Sequence, residues 1–453
     1  MKLWDKGIQE DGRIDTFTVG RDREMDLPLA KFDILGTMAH ITMLESVGLL
    51  PEADLRALLP QLGKMYEQAD AGKFVIDPDV EDIHSQVEQN LTAILGDTGK
   101  KVHTGRSRND QIMLDVKLFA RDRIERTVTL AGRLFDVLIA ASEKYKDVLL
   151  PGYTHLQVAM PSSFGLWFGA YAESLSDDMA LMKAAWDITN RNPLGAAAGY
   201  GSSAPLDRDM TTRLLGFDGM NVNVVYAQMG RGRTERIISY AYASLAETIG
   251  RMAMDACMYN SQNFGFVRLP DSLTTGSSIM PHKKNPDVFE LVRAHCNRLQ
   301  GISNNIRLIT GNLPSGYFRD MQLIKELFVP MFDEMDDVID IVTYAVSNMT
   351  VTEGLMDNPL YGQAFSVEEV NRLVSGGMPF RDAYRKVAAD IAAGTFSPLG
   401  GKKTVEALGH TLVGSVGNLC NDRITSRMKE QLASFGFEAV HQAIGNLLGS
   451  AGL

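Results

Sequence analysis

Several features that would assign this chain to a familiar class are missing from its 453 residues. Its three cysteines, Cys257, Cys296 and Cys420, form no CxxC pair, so neither a disulfide framework nor a zinc ribbon is indicated. No apolar run reaches the roughly 18 residues that would suggest a membrane span. The N-terminal stretch also lacks the apolar core of a secretory signal. We therefore expect a folded protein of the reducing cytoplasm, with no membrane partner.

The chain also has fewer basic than acidic side chains. Lysine and arginine number 45 against 56 aspartates and glutamates, a formal net charge of −11. Such a balance argues against nucleic acid or an anionic membrane as a partner, and an anionic substrate has to meet a local basic site. The metal-binding pattern HExxH and the nucleotide-binding loops GxGxxG and GxxxxGKS are absent too. The expectation is an enzyme or small-molecule-binding protein with no metal and no nucleotide cofactor.

What the chain does contain is apolar residues at helical spacing. Between residues 109 and 151 they recur every three or four positions without an internal proline, which predicts a helix of up to about 60 Å. Residues 234–262 carry a heptad-like seam suited to packing in a bundle. The residues of that seam are Ile238, Tyr242, Leu245, Ile249, Met252, Ala256 and Tyr259. A third helix is predicted to begin at Asn285, with Asn285 as its cap, and to end near Gly301.

These helices are longer than a small domain needs, so other subunits are expected to help bury them. After about residue 360 the sequence shortens into pieces punctuated by proline and glycine. We predict an all-α fold of three helical domains with a long central helical bundle. Residues 1–109 form the N-terminal domain, residues 110–360 the central bundle, and residues 361–453 a small C-terminal domain.

The most informative segment is TGSSIMPHKKNPD, at residues 275–287. A glycine followed by two serines makes a turn that carries hydroxyl groups. The two lysines and Asn285 lie just before a predicted helix N-terminus, which is a favourable place for an anion such as a carboxylate. A solvated Gly/Ser loop with surface lysines would have the same composition.

Three other segments also carry polar side chains that suit chemistry. HTGRSRNDQ, at 103–111, puts two guanidinium groups at a helix start, a suitable clamp for carboxylates, although an ordinary capping loop is the alternative. In PGYTHLQ, at 151–157, the lone His155 also fits a structural hydrogen-bonding residue. In YFRDMQLIK, at 317–325, the glutamine and the lysine share one face if the segment is helical, as they would on a solvated helix.

Taken together, these segments resemble the argininosuccinate lyases of the aspartase/fumarase superfamily, in the same order and at similar spacings over nearly the whole chain beyond about residue 30. Residues 275–287 are similar to the superfamily signature GSSxMPxKxNP. Residues 103–111 and 151–157 both look like argininosuccinate lyase, and they narrow the resemblance from the superfamily to this family. It implies anti elimination of argininosuccinate to arginine and fumarate by acid–base catalysis, with no metal or organic cofactor. An adenylosuccinate lyase-type elimination and a non-catalytic, crystallin-like structural protein are the alternatives.

The resemblance also implies a role for each matched residue. Ser277 would act as the base and His155 as the acid, although the opposite assignment has a chemical case. Lys283 would stabilise the doubly charged aci-carboxylate, and Glu290 matches the carboxylate partner of the catalytic histidine. The substrate-binding residues implied are Ser107, Arg108, Asn109, Thr154, Asn285, Tyr317, Gln322 and Lys325.

Two departures from the family pattern stand out. Asp22 occupies the position of the substrate-contacting serine of many members, and His282 stands where many argininosuccinate lyases have glutamine. The resemblance further implies a homotetramer whose central bundle brings the signature segments of three subunits together at each active site. His155 and Ser277 would then face each other across a subunit interface.

Overall fold

Helices make up most of the structure, a computed structural model that describes residues 11–453 apart from the side chains of residues 399 and 400. The helices of this part are α1 (Gly12–Val19), α2 (Asp22–Asp26), α3 (Ala30–Ser46), α4 (Glu52–Asp70), α5 (Ile83–Leu95), α6 (Arg108–Lys144), α7 (Phe164–Thr189), α8 (Arg208–Leu214), α9 (Val224–Met229), α10 (Arg233–Asn260), α11 (Asp287–Ile309), α12 (Lys325–Asn348), α13 (Ser366–Ser375), α14 (Phe380–Ala392), α15 (Val405–Leu408), α16 (Asn421–Ala433) and α17 (Phe437–Ser450). The strands are β1 (Leu149–Thr154), β2 (Gln157–Ser163), β3 (Arg191–Asn192), β4 (Gly219–Met220), β5 (Val267–Arg268) and β6 (Thr350–Val351).

The prediction of an all-α fold is confirmed. Within the described residues the strands form three two-stranded pairs, of which β1–β2 and β5–β6 are antiparallel and β3–β4 is parallel. No helix between residues 11 and 453 combines the length and the apolar character that crossing a bilayer requires.

A bundle of long helices lies at the centre of the molecule. Helix α10 packs against α7, α11 and α12, and α6 packs against α7 and α12. The seam predicted for residues 234–262 is buried along α10 from Ile238 to Ala256, and Tyr259 at its end is half-buried. Because apolar area removed from water stabilises by about 25 cal/mol per Å², this continuous seam fixes which face of α10 points inward.

The longest helix, α6, has 37 residues and a length of about 56 Å. It begins where predicted, because Ser107 and Asp110 form a capping box at its first turn. It ends at Lys144, before Pro151, the limit that the sequence predicted for this helix. The chain leaves the helix there because Leu149 pairs with Ser163 in the β1–β2 hairpin.

Helix α11 differs from its prediction at both ends. It begins at Asp287, and Pro286 occupies the cap position with no side-chain cap, because Asn285 is held in an extended pair with Thr275. It also runs through Gly301 to Ile309, since its buried face continues past the glycine with Ile302 and Ile306. Tertiary packing of that face outweighs the weak helix propensity of glycine.

The C-terminal helices divide between two cores. Helices α13 and α14 enclose a small apolar cluster of Val370, Ala383 and Val387, separate from the main core. Helix α16 packs on α6 and α7, and α17 packs on α3 and α8. The division into domains at residues 109/110 and 360/361 stays a prediction.

Gly99 tests how closely the chain after α5 packs on that helix, and Gly445 provides the control. A Cβ at buried Gly99 would lie 2.6 Å from the carbonyl oxygen of Leu91, whereas a Cβ at Gly445 in α17 would meet nothing within 4 Å. We expect Gly99→Ala to lower the free energy of unfolding by about 1–3 kcal/mol, because backbone cannot move aside cheaply. Gly445→Ala is the matched control and should raise it by up to about 1 kcal/mol. Denaturant titration at one fixed protein concentration measures both, and equal effects would contradict close packing at Gly99.

Candidate active site

A cavity of about 240 Å³ opens where α2, the start of α6 and the start of α12 meet. Its lining is almost entirely polar and charged. The lining residues are Asp22, Asp26, Glu81, Asp82, His84, Arg108, Asn109, Ile112, Arg231, Tyr317, Arg319, Gln322 and Lys325. Of the residues expected to bind substrate, the structure therefore brings Arg108, Asn109, Tyr317, Gln322 and Lys325 together in one chain.

The first turn of α6 presents Arg108 and Asn109 to the cavity. The Arg108 guanidinium donates to Asp82 Oδ2 at 2.8 Å and to Ser85 Oγ at 2.8 Å, so it is already paired. The hydroxyl oxygen of Ser107 accepts the backbone N–H of Asn109 at 3.2 Å and caps the helix. Ser107 does not line the cavity, and its predicted contact with substrate stays a prediction.

The segment before α12 is a 3₁₀-helix, Arg319–Ile324, that joins the N-terminal part of the chain to the cavity. The Gln322 amide donates to the carbonyl oxygens of Thr18 at 2.9 Å and Val19 at 3.1 Å. Arg319 donates to the same Thr18 oxygen at 2.9 Å. Both side chains therefore hold the end of α1 against the cavity.

Lys325 is buried at the inner end of the cavity between two carboxylates. Its ammonium donates to Asp26 Oδ1 at 2.6 Å and forms a second ion pair with Asp22. Burial lowers the pKa of Lys325, but the two carboxylates outweigh burial and raise it. Burial also raises the pKa of Asp22, and the charge of Lys325 opposes that shift.

Arg231 lies beside this group and is also buried. Its Nε is 2.9 Å from Glu235 Oε1, and its Nη2 donates to the carbonyl oxygen of Met321 at 3.2 Å. Its Nη1 has no hydrogen-bond partner among the described residues. A buried guanidinium nitrogen without a partner is costly.

In the cavity wall, His84 is buried between Asp33 and Asp115. Its Nδ1 donates to Asp33 Oδ1 at 2.7 Å and lies 3.6 Å from Asp115 Oδ2. Burial alone would lower the pKa of His84, but the charge and hydrogen bond of Asp33, with Asp115 and Asp82, raise it to about 9. One ligand atom from each of Asp33, His84 and Asp115 lies within 4.8 Å of the others, a set that could surround a metal ion. Metal binding needs a neutral imidazole, whereas this arrangement favours the protonated one, so we interpret the cluster as a buried ion-pair group.

The predicted catalytic residues lie outside the cavity, and three of them, His155, Ser277 and Lys283, stand on loops. His155 is at the tip of the β1–β2 hairpin, next to exposed Thr154. Both residues of the tight turn, His155 and Leu156, have positive φ values, 53° and 57°. Asn and Gly are the usual residues of such a turn, and non-glycine residues held there cost roughly 1–3 kcal/mol each.

Ser277 lies in a loop closed at its base by two backbone hydrogen bonds between Thr275 and Asn285, of 3.2 and 2.8 Å. Its Oγ accepts the backbone N–H of Met280 at 3.2 Å. Lys283, in the same loop, is exposed. Neither Ser277 nor Lys283 lines the cavity.

Two further predicted residues lie where this loop meets α11. Asn285 is half-buried and donates weakly back to Gly276 O at 3.4 Å. Glu290 is exposed in the first turn of α11. Among the described residues it forms no hydrogen bond with His155, so its role as partner of the histidine stays a prediction.

Several cavity residues were missed by the sequence analysis. They are Asp26, Glu81, Asp82, His84, Arg231 and Arg319. One local signal existed, since Glu81, Asp82 and His84 stand close together at a helix start, with Asp82 capping α5. Arg319 also lies inside the segment 317–325 that had been singled out.

This chain is similar to known proteins over most of its length. The family described as lyase matches residues 7–301. The argininosuccinate lyase of Parabacteroides distasonis is 61% identical over 447 residues, which cover 99% of each chain. That of Bacteroides fragilis is 60% identical over 448 residues, again 99% of each. The argininosuccinate lyase of Thermotoga neapolitana is 36% identical, covering 85% of this chain and 97% of its own.

Solved structures give the same fold at lower identity. A structure of EDDS lyase in complex with formate matches with a TM-score of 0.75 at 21% identity, covering 97% of this chain and 94% of its own. A class II fumarase from Schistosoma mansoni matches with a TM-score of 0.67 at 14% identity, covering 93% of this chain and 95% of its own. These two likenesses show the helical fold alone.

The buried His84 cluster predicts a pH dependence of stability. A pKa raised from 6.5 to about 9 means that the protonated imidazole stabilises the folded state fully below about pH 6.5, and that this contribution is lost as the pH rises through about 9. We expect the difference in unfolding free energy between wild type and His84→Gln to fall by roughly 3 kcal/mol from pH 6 to pH 10. Denaturant titrations across this range measure it. His441→Gln, at an exposed histidine, is the control, and a pH-independent difference for His84→Gln would show a neutral imidazole.

Proposed function

The chain belongs to the argininosuccinate lyase family, within the aspartase/fumarase superfamily, and from that membership we propose how its residues carry out the reaction. The enzyme is a carbon–nitrogen lyase that converts argininosuccinate reversibly to L-arginine and fumarate. The observation that carries this conclusion is identity of about 60% to named argininosuccinate lyases over 99% of the chain. We place the reaction in arginine biosynthesis and propose that it takes place in the cytoplasm.

The chemistry sets two demands on the site. A base removes a proton from the carbon beside a succinyl carboxylate, and that carboxylate becomes a doubly charged aci-carboxylate. The C–N bond then breaks on the opposite face, and the departing guanidino nitrogen receives a proton from an acid. The negative charge needs preorganised cations and N–H donors where it forms. We assign this task to Lys283, to Asn285 and to backbone amides of the loop ahead of α11, whose N-terminus adds a favourable dipole.

Ser277 is our candidate base and His155 our candidate acid. A serine hydroxyl is a weak base unless its alkoxide is stabilised. Backbone N–H groups of Met280, at 3.2 Å, and Ile279, at 3.4 Å, point at Ser277 Oγ and would stabilise negative charge on it. This geometry supports Ser277 as the residue that loses its own proton, and leaves His155 for the leaving nitrogen.

We propose that each active site is assembled from several chains of a homotetramer. In one chain the substrate-binding cavity and the two exposed catalytic segments are separate, so a complete site needs other copies. The central bundle also exposes large apolar side chains, which a tetrameric core would cover. They are Tyr240 and Met254 on α10, Leu291 and Leu308 on α11, and Ile341 and Tyr344 on α12.

A direct assay tests the function. The purified enzyme should release fumarate, followed by its absorbance, from argininosuccinate and not from adenylosuccinate, because the two leaving groups differ greatly in size and charge. Release from adenylosuccinate alone would overturn the proposed activity.

The same assay tests the catalytic roles. Ser277→Ala and His155→Asn should each lower turnover by roughly 10²–10⁴, the usual effect of losing a positioned acid or base, with little change in substrate binding. Near wild-type turnover in either variant would remove that residue from the chemical step.

Mixed tetramers test the shared site. Inactive Ser277→Ala and His155→Asn chains, mixed and allowed to exchange subunits, should regain up to roughly a quarter of wild-type activity, because some sites draw both intact residues from different parents. Ser277→Ala mixed with Lys283→Met is the matched control, since both residues lie in one loop and no site receives an intact loop. If mass measurement shows mixed tetramers and no activity returns, both residues of a site come from one chain.

A further inference from the structure

The two strands of the β1–β2 hairpin do not by themselves fix the direction of its tip. The tip residues, His155 and Leu156, are exposed, and both have positive φ values. An isolated two-stranded hairpin is at best marginally stable in water, and strained backbone of this kind persists only where surrounding structure holds it. The contacts that orient the hairpin therefore come from other parts of the fold.

Tyr153 joins the stem of the hairpin to a group of buried aromatic rings. It is half-buried and stands two residues before His155. Its ring centre lies 5.5 Å from that of Phe264, edge to face, and 6.4 Å from that of Phe266. Aromatic pairs favour particular relative orientations in addition to burying apolar area. The rings under the stem therefore restrict how the hairpin can tilt.

Tyr361 completes this aromatic group from a distant part of the chain. It lies in the 3₁₀-helix Pro359–Phe365, which packs on both strands of the hairpin and leads directly into α13. Its side chain is only 5% exposed. Its ring centre is 6.2 Å from that of Phe266, and its hydroxyl accepts a long hydrogen bond, of 3.5 Å, from the hydroxyl of Tyr153. Tyr361 thus supports the hairpin both directly and through a shared ring.

We propose that Tyr361 is a positioning residue for His155, because its ring, packed in the aromatic group under the hairpin, fixes the direction in which the candidate acid is presented. This inference rests on the proposed function, since it takes His155 as the acid. Proton transfer needs the acid within hydrogen-bond reach of the departing nitrogen, so a small tilt of the hairpin slows the chemical step. Substrate binding depends on the cavity at the starts of α6 and α12, and it should change little.

Steady-state kinetics of fumarate release from argininosuccinate test this role. Tyr361→Leu keeps an apolar side chain in the core but removes the ring, and it should lower kcat by about 10- to 100-fold with little change in KM, because a displacement of about 1 Å can have an effect of this size. Tyr361→Phe keeps the ring and loses only the long hydroxyl contact, so it should retain nearly wild-type turnover. Tyr153→Leu removes the same packing from the hairpin side and should have the effect of Tyr361→Leu.

Two further measurements separate positioning from a general loss of stability. Phe435→Leu is the matched control, because Phe435 is also a buried aromatic residue but its ring pairs with Trp186 and Phe437. It should leave kcat unchanged. A double-mutant cycle then asks whether Tyr361 acts through His155. Tyr361→Leu should have almost no further effect on kcat in an enzyme that already carries His155→Asn.

The outcomes distinguish this inference from the proposed function. Wild-type kcat in either folded leucine variant, Tyr361→Leu or Tyr153→Leu, with folding checked by thermal melting, would overturn the positioning role. An equal loss in Tyr361→Phe and Tyr361→Leu would overturn it too, as would an undiminished effect of Tyr361→Leu in the His155→Asn enzyme. Near wild-type turnover in His155→Asn alone would instead contradict the proposed role of the histidine.

Discussion

Compensation of charge inside the cavity is the constraint on which the rest of the site depends. Each cationic side chain of the lining has a carboxylate within ion-pair distance. The pairs are Lys325 with Asp26, Arg108 with Asp82, Arg319 with Glu81, and Arg231 with Glu235. Taking a charge out of water costs several kcal/mol, and breaking a buried pair by removing one partner is strongly destabilising. An anionic substrate therefore meets a site whose positive charge is largely balanced.

The same pairs hold the architecture of the cavity together. Lys325, at the start of α12, reaches Asp26 in α2, 299 positions away in sequence. Arg108, at the start of α6, reaches Asp82, the cap of α5. Ion pairs of this kind join the N-terminal helices to the long bundle, so the cavity and the packing of these helices form as one unit. The protonated His84 in the cavity wall extends the same network into the core.

Binding and chemistry are divided between two kinds of structure. The cavity is built on helix ends, whereas His155 and Ser277 project on a hairpin and a loop. The left-handed backbone at His155 and Leu156 is strained, and strain of this kind is kept where a side chain must be presented in one direction. Exposed catalytic groups also need a cover that excludes water, and our proposed assembly would provide it with other subunits.

The sequence by itself determined the long helices and the segments that carry chemistry. The seam of α10 and the start of α6 were predicted because periodicity and capping are local properties of neighbouring residues. Tertiary structure alone decided where helices end, as at Lys144, where strand pairing begins soon afterwards, and at Ile309, where packing carries α11 past Gly301. It also decided that Asp26 and Glu81 join the cavity, because their ion pairs with Lys325 and Arg319 link residues hundreds of positions apart. Such a pair leaves no spacing in the sequence from which to predict it.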